Sequence, residues 1–225
     1  MFGLVRYDGT EYKTYRYDPL EINSLSNDDV ISFCEDKEGN LWVGTYNGGL
    51  NKLDRHTGIF TRYLSDKNKQ NNLSDNTVRT KFQDSKNNIR AGTENGFNKL
   101  DEQSGKIISY KNDSLNSESI SGNITRSITE DKEGNLWIGT LGEGLNKFEI
   151  EKEVFTNYKR DSTDYKSLSG NNVSSLFTDK AGTVWIGTGN GLNKYDKDKM
   201  ERVCQAVFIF INFLQGFFLK RREFC

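Results

Sequence analysis

One five-residue slot returns along the chain and limits what it can fold into. Leu41-Trp42-Val43-Gly44-Thr45 recurs as Ile89-Arg90-Ala91-Gly92-Thr93, Leu136-Trp137-Ile138-Gly139-Thr140 and Val184-Trp185-Ile186-Gly187-Thr188. The intervals are 48, 47 and 48 residues, and all three tryptophans of the chain lie in this slot. Self-similarity at such a period means an array of like units, each too small to cover its own apolar face and each covered by its neighbour.

Within one period the residues read as four short strands. The first carries a β-branched residue in its first slot and Ser or Thr in its third: Val30 to Glu35, Val78 to Gln83, Thr125 to Glu130 and Val173 to Thr178. Such alternation marks a strand, and the small hydroxyl suits a crowded place where neighbouring units converge. Asp36-Lys37-Glu38-Gly39-Asn40 and its counterparts form the following turn, with Gly39, Gly134 and Gly182 matched by Asn87. Gly or Asn is what a left-handed backbone position requires. These turns lack the alternating oxygen ligands and distal Glu of a calcium loop, so a tight hairpin is the better reading. The Trp strand follows. A loop of variable length then ends at Gly49, Gly96, Gly144 or Gly191, and two more strands close the unit. The polar linkers between units each hold one apolar residue, Leu25, Leu73, Ile120 or Leu168, each followed by Ser. A single apolar residue amid Ser and Asn predicts a crossover pinned at one buried point.

Four antiparallel strands in about 47 residues, repeated, predict the blades of a β-propeller. The expected fold is all-β, a partial, open arc of about four four-stranded antiparallel blades. Residues 3–17 match the outer half of a unit, so the expected repeats are residues 1–22, 23–70, 71–117, 118–165 and 166–199. That gives seventeen strands. Past Lys199 the pattern is expected to stop, leaving residues 200–225 as an apolar, non-repeating tail, of which residues 203–225 are expected to form no regular fourth strand. Residues 203–219 make a membrane anchor only if Gln205, Asn212 and Gln215 are counted into the span. An unrelated or frame-shifted tail is the other reading.

The motif Leu-Trp-Ile-Gly-Thr followed by Gly-Leu-Asn-Lys-Phe, preceded by Asp-Lys-Glu-Gly-Asn and a Ser-Leu-Ser linker, resembles the two-component regulator propeller repeat. The resemblance covers about residues 3–199. It implies a sensor propeller on the periplasmic or extracellular side of a membrane-bound signalling protein such as a histidine kinase. Family propellers usually have seven blades, often in tandem. This chain has fewer repeats and shows no signal peptide or output domain, so a fragment is expected.

Composition narrows the function further. A net charge of −1 supplies no basic field for nucleic acid. The single His56 excludes a multi-histidine metal cluster, and three cysteines without a repeating spacing indicate no disulfide framework. No cofactor or metal is expected. No acid–base pair or activated nucleophile stands out, so an enzyme is not expected. The expected function is ligand or partner sensing, with a small molecule, a saccharide or a protein that completes the ring as partner. A non-catalytic scaffold or remnant is the alternative. Strand parity puts the crossovers and the variable loops on one face, where rigid strands present binding groups. The candidate ligand residues there are Tyr46, Asn47, Asn95 and Asn190 from the loops, with Arg79 and Arg126 from the second slot of the inner strands. That slot also holds Ile31 and Ser174. Two arginines near a channel mouth suit an anionic or sugar ligand, against the plainer reading of solvated charge. Arg90 occupies a Trp slot beside Ala91, which predicts that its blade is the weakest.

Overall fold

In a computed structural model, residues 3–66, 68–69, 71–196 and 199–204 are described. A two-stranded hairpin, β1 (Leu4–Tyr7) and β2 (Tyr12–Tyr15), precedes four blades. The first blade is β3 (Val30–Glu35), β4 (Leu41–Thr45), β5 (Leu50–Leu53) and β6 (Phe60–Tyr63). The second is β7 (Val78–Gln83), β8 (Ile89–Thr93), β9 (Gly96–Leu100) and β10 (Ile107–Tyr110). The third is β11 (Thr125–Glu130), β12 (Leu136–Thr140), β13 (Gly144–Glu149) and β14 (Val154–Tyr158). The fourth is β15 (Val173–Thr178), β16 (Val184–Thr188), β17 (Gly191–Asp196) and β18 (Lys199–Cys204). Every blade is an antiparallel meander in chain order. The inner strands β3, β7, β11 and β15 contact one another in sequence, and the blades form an open arc, not a closed ring.

The repeated slots explain the packing. The indole Nε1 of Trp42, Trp137 and Trp185 donates to Oδ2 of Asp36, Asp131 and Asp179, at 2.8 Å in each case. The turn Asp therefore accepts the polar edge of the indole, and the rings of Trp42 and Trp137 pack on the next blade. Trp42 clusters with Leu73, Val78 and Ala91 of the second blade, and Trp137 with Leu168, Val173 and Ile186 of the fourth. The tyrosines that end the outer strands lie against the same rings, Tyr63 at 5.6 Å from Trp42 and Tyr158 at 5.7 Å from Trp137. The turn glycines take the left-handed backbone the sequence demands: φ is 84° at Gly39, 82° at Gly134 and 98° at Gly182, with Asn87 at 65°.

Leu25, Leu73, Ile120 and Leu168 are all buried, so each crossover is pinned as expected. What holds the crossover is a residue the sequence reading passed over. Asn51, Asn98, Asn146 and Asn193 are fully buried. Their Oδ1 accepts the backbone N–H of Ser26, Ser74, Ser121 and Ser169, at 3.0, 2.9, 2.7 and 3.0 Å. Asn98 and Asn146 also donate Nδ2 to the carbonyls of Ala91 and Ile138. One amide thus ties the incoming crossover to the Trp strand and satisfies backbone groups that burial would orphan.

The crowding expected at the third inner slot is present. A Cβ on Gly44 would lie 2.7 Å from Ser32 Oγ and 2.5 Å from Val78 O, and one on Gly139 would lie 2.6 Å from Ser127 Oγ. The motif glycine is needed for the close approach of adjacent blades.

One expectation needs correction. The chain does not leave the repeat at Lys199: β18 pairs with β17 as a fourth strand, giving eighteen strands among the described residues. Met200 pairs with Tyr195, where Phe60 pairs with Leu53 in the first blade. Arg202 takes the place of Arg62. Arg62 donates from Nε to Ser24 O at 2.9 Å and from Nη2 to Ser24 Oγ at 2.7 Å. Arg202 does the same to Ser167, at 3.0 Å in both bonds. Without the Phe-x-x-Tyr ending, this strand was hidden behind a changed vocabulary. The apolar run from 205 onward, with its anchor question, lies outside the described residues. Among those described, no helix is long and apolar enough to cross a membrane.

Candidate ligand site at the channel mouth

The second slot of every inner strand is a β-bulge. Register shifts fall between Val30 and Ser32, Val78 and Thr80, Thr125 and Ser127, and Val173 and Ser175. A bulged residue leaves the ladder and its side chain is re-aimed. Here the four bulged residues, Ile31, Arg79, Arg126 and Ser174, converge on one cavity of about 280 Å³, which Leu141, Asn172 and Val173 complete. The local geometry therefore gathers equivalent positions of four blades at one end of the channel.

The two arginines are not equivalent. Arg79 donates Nε to Glu94 Oε1 at 2.7 Å, and its Nη2 reaches the same oxygen. Arg126 makes no hydrogen bond or ion pair among the described residues, and its buried Nε has no partner. Desolvation, with the nearby Arg79 charge second, pulls the Arg126 guanidinium below its usual range, while Glu94 acts the other way. Two cations thus share one carboxylate, and the site carries an uncompensated positive charge in partly desolvated surroundings.

The structure brings together Arg79 and Arg126 and leaves the four loop candidates apart from them. Tyr46 is half-exposed. The Asn47 side chain accepts from Thr77 Oγ1 at 3.2 Å, on the neighbouring blade's approach to β7, and its own φ is 60°. Asn95 lines a different cavity, beside Ser74 and Ser109, and Asn190 sits exposed beside Gly170. Sequence reasoning missed Glu94, Asn172 and Leu141. Glu94 stood directly before the candidate Asn95, but nothing in the repeat marked it as the partner of Arg79.

A second cavity of about 230 Å³ continues along the inner strands from Ile31 and Arg79, walled by Phe33, Cys34, Lys81, Ile128 and Leu176 among others. Elsewhere Asp36, Glu38 and Glu102 bring carboxylate oxygens within 4.8 Å of one another. Asp36 already binds Trp42 and Asn40, and Glu102 binds Lys52.

The fold defines a class, a β-propeller arc of four-stranded blades, and its repeats are similar to those of the two component regulator propeller family. The model for that family matches residues 24–47, 118–142 and 167–190. The described blade without a match is the second, which carries Arg90 and Ala91 in place of Trp and a larger aliphatic residue. Among solved structures, the chain is similar to the extracellular domain of a hybrid two component system from B. thetaiotaomicron, with 25% identity and a TM-score of 0.66 over 89% of this chain and 28% of that one. It is also similar to the extracellular domain of a one component system from the same organism, with 24% identity and a TM-score of 0.69 over 90% of this chain and 25% of that one. A catalytically inactive virginiamycin B lyase from Staphylococcus aureus, solved with quinupristin, shares the fold at 17% identity and a TM-score of 0.60, over 85% of this chain and 59% of that one. The chain spans about a quarter of the length of the extracellular domains it matches. No curated protein matches it in sequence.

Proposed function

We propose that this arc is a non-catalytic sensing module, from the periplasmic or extracellular side of a membrane-bound signalling protein, which holds an anionic group at the channel mouth. The observation that carries the reading is Arg126: a guanidinium with a buried, unpartnered Nε, in a cavity where Glu94 is committed to Arg79. An anion entering there supplies the missing acceptor, and charge-assisted hydrogen bonds to a guanidinium are the strong ones. The similarity to those extracellular domains supports signalling use. The similarity to a lyase rests on the fold alone, and fold does not carry function.

The test is calorimetric titration of the chain with inorganic sulfate and with glucuronate. Binding that disappears in the Arg79→Glu/Arg126→Glu double variant supports the reading, and Glu94→Gln is expected to tighten it by releasing Arg79. Equal affinity in the double variant removes it. The alternative, a scaffold completed by another protein, is favoured by the apolar side chains left open at both ends of the arc, Phe33 at 58% and Phe177 at 48% exposure.

A further inference from the structure

Lys81 stands where its counterparts are Phe33, Ile128 and Leu176. It pairs across the blade with Ala91, whose counterparts are Val43, Ile138 and Ile186. The small Ala91 leaves room for the lysine stem on an otherwise apolar face. Lys81 has no hydrogen bond or ion pair among the described residues. It lines the 230 Å³ cavity together with Ile31, Phe33, Cys34, Ile128 and Leu176. The hydroxyl-bearing Ser32, Thr80, Ser127 and Ser175 also line that cavity, and an amine without a counter-charge, beside aliphatic and aromatic side chains and open to a cavity, is the setting in which a lysine serves as a nucleophile.

We propose that Lys81 captures small aldehydes or ketones that enter the channel, as an imine. The amine nitrogen adds to the carbonyl carbon, and the carbinolamine then loses water. The carbonyl oxygen leaves with both protons of the amine, a carbon–nitrogen double bond replaces the carbon–oxygen double bond, and no electrons change hands. The apolar side chains packed against it favour the neutral amine. The titratable and charged groups shown beside it are Cys34, on β3, and Arg79, on its own strand and in the same cavity. Burial pushes the Cys34 thiol up, so the thiol stays protonated and the amine is the reactive group. Although Lys81 is only half-buried by area, desolvation brings its ammonium down to about 8 from 10.5. At pH 8 that raises the neutral fraction on the order of 100-fold over an ordinary lysine.

The experiment exposes the whole chain briefly to benzaldehyde at pH 8, reduces with borohydride, and maps benzylated lysines by peptide mass spectrometry. Lys81 is expected to label at least ten-fold faster than the exposed Lys111 and Lys180, and to keep that lead at pH 7. The Lys81→Met variant is expected to lose that one modified peptide and retain the rest. Labelling of Lys81 no faster than Lys111 overturns the proposal and leaves the lysine as a space filler opposite Ala91. The wild-type comparison decides the matter whether or not the variant folds.

Discussion

Arg90 shows how one residue can depart from a repeat and keep part of its chemistry. Its Nε donates to Asp84 Oδ2 at 2.7 Å, as the indole N–H does to the equivalent Asp in the other blades. Its guanidinium carbon lies 5.8 Å from the Phe97 ring and 5.9 Å from the Phe148 ring. Yet the side chain is fully buried, and among the described residues Nη1 and Nη2 make no hydrogen bond of good geometry, with the Tyr110 hydroxyl nearby, an unsatisfied buried donor costing about 1–3 kcal/mol. Phe97 stands where the other blades have Leu50, Leu145 and Leu192, so part of the missing indole volume is supplied by a neighbour. Arg90→Trp keeps the bond to Asp84 and removes the unsatisfied donors. It is expected to raise the thermal midpoint when paired with Phe97→Leu, which restores the room an indole needs. Arg90→Leu leaves Asp84 buried without its cation and is expected to cost about 3–5 kcal/mol in denaturant unfolding. At Lys81 the sign of the pH dependence runs against habit. The folded ammonium titrates near 8 and the unfolded one near 10.5, so between these values the unfolded chain binds more protons and stability rises with pH. The raised Cys34 and Tyr110 groups act oppositely at higher pH, Tyr110 being pushed up to about 12 chiefly by burial. The Lys81→Met variant is therefore expected to be more stable than wild type at pH 7, with the gap narrowing from pH 8 upward in thermal melts.

At the scale of the element, the buried Asn of each blade clasps the incoming crossover, and in the third blade it does so alongside the indole. Asn146 Oδ1 holds Ser121 N and its Nδ2 holds Ile138 O, tying the crossover to the strand it must follow. Asn146→Leu keeps the size and orphans both backbone groups. It is expected to destabilise by about 2–6 kcal/mol, at about 1–3 kcal/mol per group, and to release hydrogen-exchange protection first at Ser121. Uniform loss of protection across all blades would show instead that the clasp has no local role. The inner-strand bulges are the element-scale device behind the candidate site. They turn the second-slot residues out of the ladder, and without them Arg79 and Arg126 would lie within the pleat of their own sheets.

Across the whole molecule the arc has two unlike ends. Trp42 and Trp137 are buried under the following blade, while Trp185, on the last face described, is partly open beside an exposed Phe177. Acrylamide is expected to quench one of the three tryptophans readily, and Trp185→Phe is expected to remove that accessible fraction. If wild-type emission is wholly protected and becomes accessible on dilution, copies of the chain cover the open face for one another. The central channel has no such symmetry between blades, because the inner slots carry Ile31, Arg79, Arg126 and Ser174 at one level and Phe33, Lys81, Ile128 and Leu176 at the next.

By itself the sequence determined what repetition can encode. The 47–48-residue period specified the blade, the Gly and Asn turn positions specified their backbone, and the lone apolar residue of each linker specified a buried pin. These are local demands of strand, turn and burial, and every copy states them again. Only the tertiary structure decided what depends on distance between copies. Arg79 and Arg126, one repeat apart, meet because bulges at equivalent slots aim at a common axis. Glu94 becomes the partner of Arg79 by folding across a hairpin, and Lys81 acquires its setting from Cys34 and Phe33 one blade away. The last strand was missed for the opposite reason. Met200 and Arg202 keep the contacts of Phe60 and Arg62 while changing the residues that spell them, and a motif search sees letters where the fold sees volume, a charge and a carbonyl to bind.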